Sequence, residues 1–287
     1  MNWICFGKMC RYIHRLALAA LVLTGTEHTL HAADYYVAAN GNDGNAGTEG
    51  QPFRTIIHSA QVARAGDVVH VNPGTYENTY GGIQPAHSGT RDNPVVFEST
   101  ERLGAVISGS GFHSAFYCGD NGNGISYITI RGFRFSDVSR AVMPGREGWR
   151  IEDCLIENAE GPGIIFWVPD SPTDPSPYTD IVILRCVFQD IQENCFAGCM
   201  GMGNLHMKNC IARRGNRAKY PPGGAVGACK LLCTDGVVVE NLVSYDHCGC
   251  GWWFDWENVN FTIRGCTIFG NHGLDKGWDG PGIRVEI

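Results

Sequence analysis

Two acidic residues near the end of the 287-residue chain, Asp255 and Glu286, have the type and spacing that could support chemistry. Asp255 ends the alternating run WWFD, and Glu286 ends the alternating run IRVE. Successive side chains of a strand point to opposite faces, so each acid lies opposite the apolar residue before it. Such a pair suits hydrolysis of a glycosidic bond, in which one carboxyl protonates the leaving oxygen and the other attacks the anomeric carbon.

The same stretch supplies side chains that could hold a sugar. Trp253 shares the face of Asp255 and offers an aromatic surface, while Arg284 shares the face of Glu286. Histidines occur in two neighbouring turns, and a Gly/Asp/Pro-rich segment, 273–281, adds a lysine and a further tryptophan. The residues predicted to bind substrate are Trp253, Arg284, His247, His272, Lys276 and Trp278.

A repeated pattern indicates how the chain positions these residues. An apolar residue followed by a Cys, Phe or Leu anchor recurs along the chain, and the anchors are Phe133, Cys154, Cys186, Cys210, Leu242 and Cys266. A base period of roughly 21 to 24 residues, lengthened by insertions in some repeats, is typical of a solenoid. Short β-branched strands with Gly and Asn at the turns favour an all-β fold, a single-stranded parallel β-helix, and parallel crossovers are nearly always right-handed. Helical spacing between Thr55 and Ala65 predicts a short N-terminal capping helix.

The repeat predicts that Asp255 and Glu286 are neighbours. The interval between them exceeds the compact repeat, and an excursion within 273–281 accounts for the surplus. The two acids would then lie one coil apart on the same outer ladder, where strands are about 4.8 Å apart. Like charges on adjacent strands are unfavourable unless something uses them. The spacing favours a retaining hydrolase, whose carboxyl groups are about 5 to 5.5 Å apart.

The N-terminus predicts export. Three basic residues precede the apolar run Leu16 to Leu23, and Ala32-Ala33 supplies a cleavage point. We therefore expect a signal peptide at 1–33, a β-helix domain at 34–287, and a secreted or periplasmic protein with no membrane span. Removal of residues 1–33 changes the net charge from −7 to −9. A chain this acidic lacks the basic balance of a nucleic-acid binder.

The positions of the cysteines predict that these residues pack in the core and do not bind metal. Cys154, Cys186, Cys210 and Cys266 take equivalent positions in successive coils, where free Cys packs as a small hydrophobe. A second set has spacings that match a zinc site poorly, so core packing or one disulfide between coils is favoured over metal. That set is Cys195, Cys199, Cys229, Cys233, Cys248 and Cys250.

Two segments resemble known proteins. The runs YYVAANGNDGNAGTEGQPFRTI and GDVVHVNPGTYEN resemble the first coil of secreted bacterial right-handed parallel β-helix proteins of the pectate-lyase-like superfamily. That superfamily contains polysaccharide lyases and glycosidases, so this resemblance implies the fold and a poly- or oligosaccharide partner. The block W-x-D-W followed by V-E-I resembles β-helix glycosidases of the β-xylosidase type. It implies that Asp255 is the nucleophile and Glu286 the acid/base.

The competing enzymatic hypothesis is a calcium-dependent lyase acting on an acidic polysaccharide. Asp255 and Glu286 would then be calcium ligands, and Lys230 the candidate base. Alignment of Gly227 with Gly251 puts Lys230 level with Phe254, so we expect Lys230 to point inward, which counts against the lyase. A hydrolase needs no cofactor.

A third hypothesis is a surface β-helix protein that binds glycans without altering them. In that case Asp255 caps a turn and the tryptophans pack the coil. The sequence also stops at Ile287 with no polar cap for the last coil, which would leave strand groups unpaired. We therefore expect either further chain beyond this point or end-to-end self-association there.

Overall fold

The computed structural model describes residues 32–77, 81–109, 113–118, 124–166, 178–198, 202–221, 227–274 and 279–286. Lys276 and Trp278, and residues 1–31 of the expected signal peptide, lie outside these ranges. The described residues form 24 strands and one helix, α1 (Ile56–Val62). No helix in these ranges is both long enough and apolar enough to cross a membrane.

The strands form three parallel sheets. Numbered in chain order, the first sheet contains β1 (Asp34–Val37), β2 (Val68–Val71), β4 (Val95–Ser99), β7 (Ile128–Arg131), β10 (Arg150–Glu152), β13 (Ile181–Leu184), β16 (Leu205–Lys208), β19 (Val238–Glu240) and β22 (Thr262–Arg264). The second contains β3 (Gly74–Glu77), β5 (Ala105–Gly109), β8 (Arg134–Val138), β11 (Leu155–Glu157), β14 (Val187–Gln189), β17 (Ile211–Arg213), β20 (Val243–Tyr245) and β23 (Thr267–Phe269). The third contains β6 (Phe116–Tyr117), β9 (Val142–Met143), β12 (Ile164–Phe166), β15 (Phe196–Gly198), β18 (Cys229–Leu232), β21 (Trp252–Asp255) and β24 (Ile283–Val285).

Consecutive strands of one sheet belong to successive coils, as the repeat predicted. In the first sheet, the strand register pairs Ile130, Ile151, Ile183, Met207, Val239 and Ile263 in turn. Each of these residues precedes one anchor of the repeat by the same interval, so the anchors also follow one another from coil to coil. The parallel β-helix is therefore confirmed, with the insertions placed between strands.

The interior of the coil is a continuous apolar core. Cys154, Cys186 and Cys210 are buried in it, and Cys266 packs partly against it near the last described coil. Each of these four thiols lies near a main-chain carbonyl of the preceding coil, at 3.4 to 3.9 Å. The predicted interior sulfur ladder is confirmed.

The helix α1 lies where the capping segment was expected. Thr55 is its N-cap, and the Thr55 side chain accepts a hydrogen bond from the His58 N–H group. Ile56 and Ala60 are buried in the core, so the helix covers apolar side chains near the N-terminal coils.

Outer ladders place opposite charges side by side. In the first sheet, Arg131 lies between Glu98 and Glu152, with a nitrogen 3.2 Å from a carboxylate oxygen of each. Because adjacent strands hold such side chains close together, alternation of sign removes the repulsion that like charges would create.

Candidate functional site

The candidate site lies on the outer ladder of the third sheet, where β21 runs between β18 and β24. The register pairs Trp253 with Lys230 on one side and with Arg284 on the other. Phe254 pairs with Val285, and the Glu286 N–H group donates to the Phe254 carbonyl at 2.8 Å. Glu286 is therefore level with Asp255 on the neighbouring strand, the arrangement that the sequence predicted.

Lys230 does not lie where the sequence predicted. It pairs with Trp253 instead of Phe254, because Gly227 is bridged to Cys250 and not to Gly251. A shift of one residue moves a side chain to the opposite face of a strand. The expectation that Lys230 points inward is wrong, and this lysine belongs to the outer ladder.

The contact between Gly227 and Cys250 predicts a large effect of Gly227→Ala on stability. Gly227 has a φ of 95°, and an added Cβ would overlap the carbonyl oxygen of Cys250 in the adjacent coil. The unfavourable φ and the overlap together should cost about 3 kcal/mol or more, which lowers the melting temperature by roughly 6 to 12 °C. Thermal unfolding followed by circular dichroism measures this shift.

Gly124→Ala is the control for that substitution. Gly124 also has a positive φ, of 71°, but an added Cβ would meet nothing within 4 Å. The difference between the two variants therefore isolates the contact between Gly227 and Cys250. Similar melting temperatures in both variants would contradict the role of that contact in fixing the register beside Lys230.

Lys230 and Arg284 each hold one of the two acids. The Lys230 Nζ lies 3.0 Å from Oδ2 of Asp255. The Arg284 Nε donates to Oε1 of Glu286 at 2.9 Å, and Nη2 donates to the same oxygen. The two carboxylates are thus a compensated pair, in which each negative charge has its own cation.

Trp253 separates the two ion pairs. The Lys230 ammonium lies 4.3 Å from the centre of the Trp253 ring, and the Arg284 guanidinium lies 5.2 Å from it. These are cation–π contacts, and they come from the strands on either side of β21. Trp253 is only 4% exposed. It has no open face for a sugar ring, so the expected substrate platform is replaced by a positioning role towards Lys230 and Arg284.

An exposed tryptophan that the sequence reasoning passed over follows Asp255 directly. Trp256 is 51% exposed, and its backbone has a positive φ of 22°. The main-chain N–H group of Trp256 donates to Oδ1 of Asp255 at 3.0 Å. The signal in the sequence was the second tryptophan of W-x-D-W, which falls beyond the end of the strand and therefore escapes the alternation that buries Trp252 and Trp253.

His247 is buried and acts inside the coil. The Gly215 N–H group donates to His247 Nδ1 at 2.9 Å, so Nδ1 is an acceptor and the proton resides on Nε2. Nε2 lies 3.0 Å from the Ser244 hydroxyl. Burial lowers the pKa of His247 to about 4. A fully buried imidazole with both nitrogens engaged does not fit the expected substrate contact; it joins two successive coils just before β21.

The buried His247 predicts a pH dependence of stability. Its pKa is 6.5 when exposed and about 4 in the folded chain, so the unfolded state binds the proton more tightly. Stability should fall as the pH decreases from about 6.5 to about 4, by roughly 2 to 3 kcal/mol. Urea unfolding across this range should show that slope in the parent and lose it in His247→Gln. The exposed control His272→Gln keeps His247 and should keep the slope; an unchanged slope in His247→Gln would contradict the assignment.

His272 lies in the equivalent turn of the next coil. The His272 side chain is exposed, and its Nε2 lies 2.6 Å from Oδ1 of Asp246. The main-chain N–H group of His272 donates to the His247 carbonyl at 2.8 Å. The other two predicted substrate contacts, Lys276 and Trp278, lie outside the described residues. The described site therefore consists of Lys230, Trp253, Asp255, Arg284 and Glu286, with Trp256 beside it.

The second set of cysteines holds neither a bridge nor a metal cluster in the described part of the chain. Cys195, Cys229 and Cys250 are buried free thiols, and Cys233 and Cys248 are partly buried free thiols; Cys199 lies outside the described residues. Within the same ranges no three His, Cys, Asp or Glu side chains are grouped to hold a metal ion. Of the two alternatives for this set, core packing is the one observed.

Solved structures share the fold. The complex structure of XylC with xylose matches with a TM-score of 0.72 at 16% identity, over 84% of this chain and 64% of that one. A rhamnogalacturonan lyase matches with a TM-score of 0.51 at 18% identity, over 81% of this chain and 73% of that one. The chain therefore shares the right-handed parallel β-helix fold of these two proteins, one solved with xylose and the other a rhamnogalacturonan lyase.

Curated relatives match over shorter segments. The uncharacterized protein YwoF of Bacillus subtilis is 41% identical over 87 residues, which are 30% of this chain and 18% of that protein. Pectate lyase PEL9 of Emericella nidulans is 37% identical over 78 residues, 27% of this chain and 19% of that protein. The matched segments span less than a fifth of either relative.

One family model covers more than half of the chain, from residue 39 to residue 241. Its match includes the first coils and extends to β19, and it stops before Asp255. The chain belongs to the family described as "Protein of unknown function (DUF1565)".

Proposed function

We propose that the protein is a secreted glycoside hydrolase that acts on a poly- or oligosaccharide, with Asp255 as nucleophile and Glu286 as acid/base. The observation that carries this proposal is the register of β21 and β24, which pairs Phe254 with Val285 and so brings the next residues along the chain, Asp255 and Glu286, side by side. Adjacent strands are about 4.8 Å apart, close to the separation of about 5 to 5.5 Å that retaining glycosidases use.

The contacts of Asp255 suit a nucleophile. A nucleophilic carboxylate must be ionised, and the Lys230 ammonium 3.0 Å away stabilises its negative charge. In the first step a carboxylate oxygen of Asp255 forms a bond to the anomeric carbon, and the bond from that carbon to the leaving oxygen breaks. A water molecule then displaces Asp255 and releases the sugar.

Glu286 supplies the proton for the leaving oxygen and later removes one from the attacking water. Arg284 contacts only Oε1 of Glu286, so we assign the transferred proton to Oε2, and the guanidinium stabilises the carboxylate that remains when this proton has moved to the leaving oxygen. Trp253 keeps Arg284 on Glu286 and Lys230 on Asp255, because it lies against both cations.

Export and substrate class belong to the same proposal. The signal-like segment at 1–33 supports a secreted or periplasmic location. The names of the structural neighbours, a xylose complex and a rhamnogalacturonan lyase, support a glycan as substrate.

A polysaccharide lyase is the second candidate, favoured by the position of Lys230 on the outer ladder beside Asp255. A lysine base must be a neutral amine. The ion pair with Asp255 and the contact with the Trp253 ring are both contacts of an ammonium. For calcium to bind Asp255 and Glu286, it would have to replace Lys230 and Arg284. Hydrolysis is therefore preferred.

Product analysis tests the proposal. The full chain is incubated with xylohexaose, cellohexaose and hexagalacturonate, each with added calcium or with a chelator. Hydrolysis produces reducing ends without ultraviolet absorbance, and NMR of the first product should show the anomeric configuration retained. An unsaturated, ultraviolet-absorbing end that requires calcium would establish the lyase instead. Binding without any product would identify a glycan-binding protein and refute both enzymatic proposals.

A further inference from the structure

Among the residues that the structure describes, Trp256 is the most exposed aromatic side chain near the candidate site. Half of its surface is accessible, whereas Trp253 is buried between two cations. The main-chain N–H group of Trp256 donates a hydrogen bond to Oδ1 of Asp255 at 3.0 Å, so the backbone at Trp256 is tied to that carboxylate. An exposed aromatic side chain on the residue after the proposed nucleophile is a candidate stacking surface for a bound sugar ring.

The turn that carries Trp256 is held by several hydrogen bonds. The Asn258 side-chain amide donates to the Leu231 carbonyl at 3.1 Å and to the Asp255 carbonyl. Its oxygen accepts from the Thr234 N–H group at 3.1 Å and the Thr234 hydroxyl at 2.6 Å. The Trp256 carbonyl accepts from the Cys233 N–H group at 2.8 Å. These bonds tie the turn to the preceding coil and hold the main chain at Trp256 in place.

The backbone of this turn has two residues at positive φ. Trp256 has a φ of 22° and Glu257 a φ of 52°. Positive φ recurs at turn residues along this chain, for example at Asp153, Arg185 and Asp246, so these two values mark the turn that ends β21. Trp256 thus lies in the turn that directly follows Asp255, and its side chain is half exposed there.

The charges around Trp256 favour an uncharged sugar. The negative charges of Asp255 and Glu286 are each matched by a cation, Lys230 and Arg284. Glu257, which follows Trp256, is exposed and acidic. A uronate bound at Trp256 would bring a further negative charge to a turn whose next residue, Glu257, is already acidic, and like charges repel.

We infer that Trp256 forms a sugar-binding subsite next to Asp255, at which the indole stacks on the ring of a neutral pyranose. This inference rests on the proposed function and adds the class of sugar and the residue that selects it. Trp256 is a binding residue in it, and Asp255 and Glu286 keep the chemistry.

Binding to a chain that cannot turn over tests the inference. In the Asp255→Asn background, calorimetry measures the affinity for xylohexaose, cellohexaose and hexagalacturonate. We expect at least one neutral probe to bind, and Trp256→Ala to weaken that binding roughly tenfold or more. Trp256→Phe should retain most of the affinity because it keeps an aromatic face. The matched control is Phe269→Ala, which removes an aromatic ring that is 52% exposed on the second sheet and should change nothing.

Each other outcome overturns the inference. Equal affinity in Trp256→Ala and its parent would show that Trp256 does not bind the sugar. Binding of hexagalacturonate alone would contradict the preference for neutral sugars. Failure of both neutral probes to bind also refutes it. Turnover by the unaltered chain is measured separately. If Asp255→Asn removes that turnover while Trp256→Ala leaves KM unchanged, the subsite fails and the hydrolase proposal stands.

Discussion

Asp255→Asn is expected to reduce turnover roughly 10³-fold or more, because an amide cannot form the covalent glycosyl intermediate. Initial rates on the glycan that the unaltered chain cleaves provide the measurement. Addition of azide should restore part of the rate by supplying an external nucleophile, and the product should then have the inverted configuration.

The matched control is Asp153→Asn. Asp153 is 23% exposed and is held by Arg185, much as Asp255 is 20% exposed and held by Lys230. It directly follows β10 of the first sheet, so its loss should leave turnover unchanged. Equal rates in Asp255→Asn and the parent would show that Asp255 is not the nucleophile.

Glu286→Gln separates the two roles. Glutamine cannot donate the proton, so the rate on an oligosaccharide should fall by roughly 10² to 10⁴-fold. A nitrophenyl glycoside has a leaving group that needs little protonation, and its first step should be affected much less. A loss of the same size on both substrates would contradict the acid/base assignment.

The coil architecture could be predicted from the sequence because the anchors and the inner strand residues of the first sheet repeat together. The third sheet does not keep the same step: the interval from Lys230 to Trp253 is one shorter than the interval from Val239 to Ile263 between the same two coils. The turn that precedes each strand differs in length from coil to coil, and one residue decides whether a side chain faces in or out. The pairing of Asp255 with Glu286 was predictable, while the outward position of Lys230 was not.

The exposure of a side chain was the other property that the alternation of residues along a strand could not predict. Trp253 and Trp256 are both tryptophans outside the inner ladder, yet one is covered by two cations and the other is half exposed. His247 has the sequence context of a solvated turn, and only the packing of Gly215 and Ser244 around it shows that it is internal. Which side chain reaches a ligand depends on neighbours from other coils.

The row of free thiols inside the coil has a consequence for how the protein can be observed. Burial raises the pKa of Cys186 and that of Cys210 well above the usual range of a thiol. Because the thiolate is the reactive form, an alkylating reagent should not react with these thiols while the coils around them remain folded. Each cysteine that becomes labelled then reports a local opening of its own coil. Peptide mapping of the labelled sites would show which coils open first.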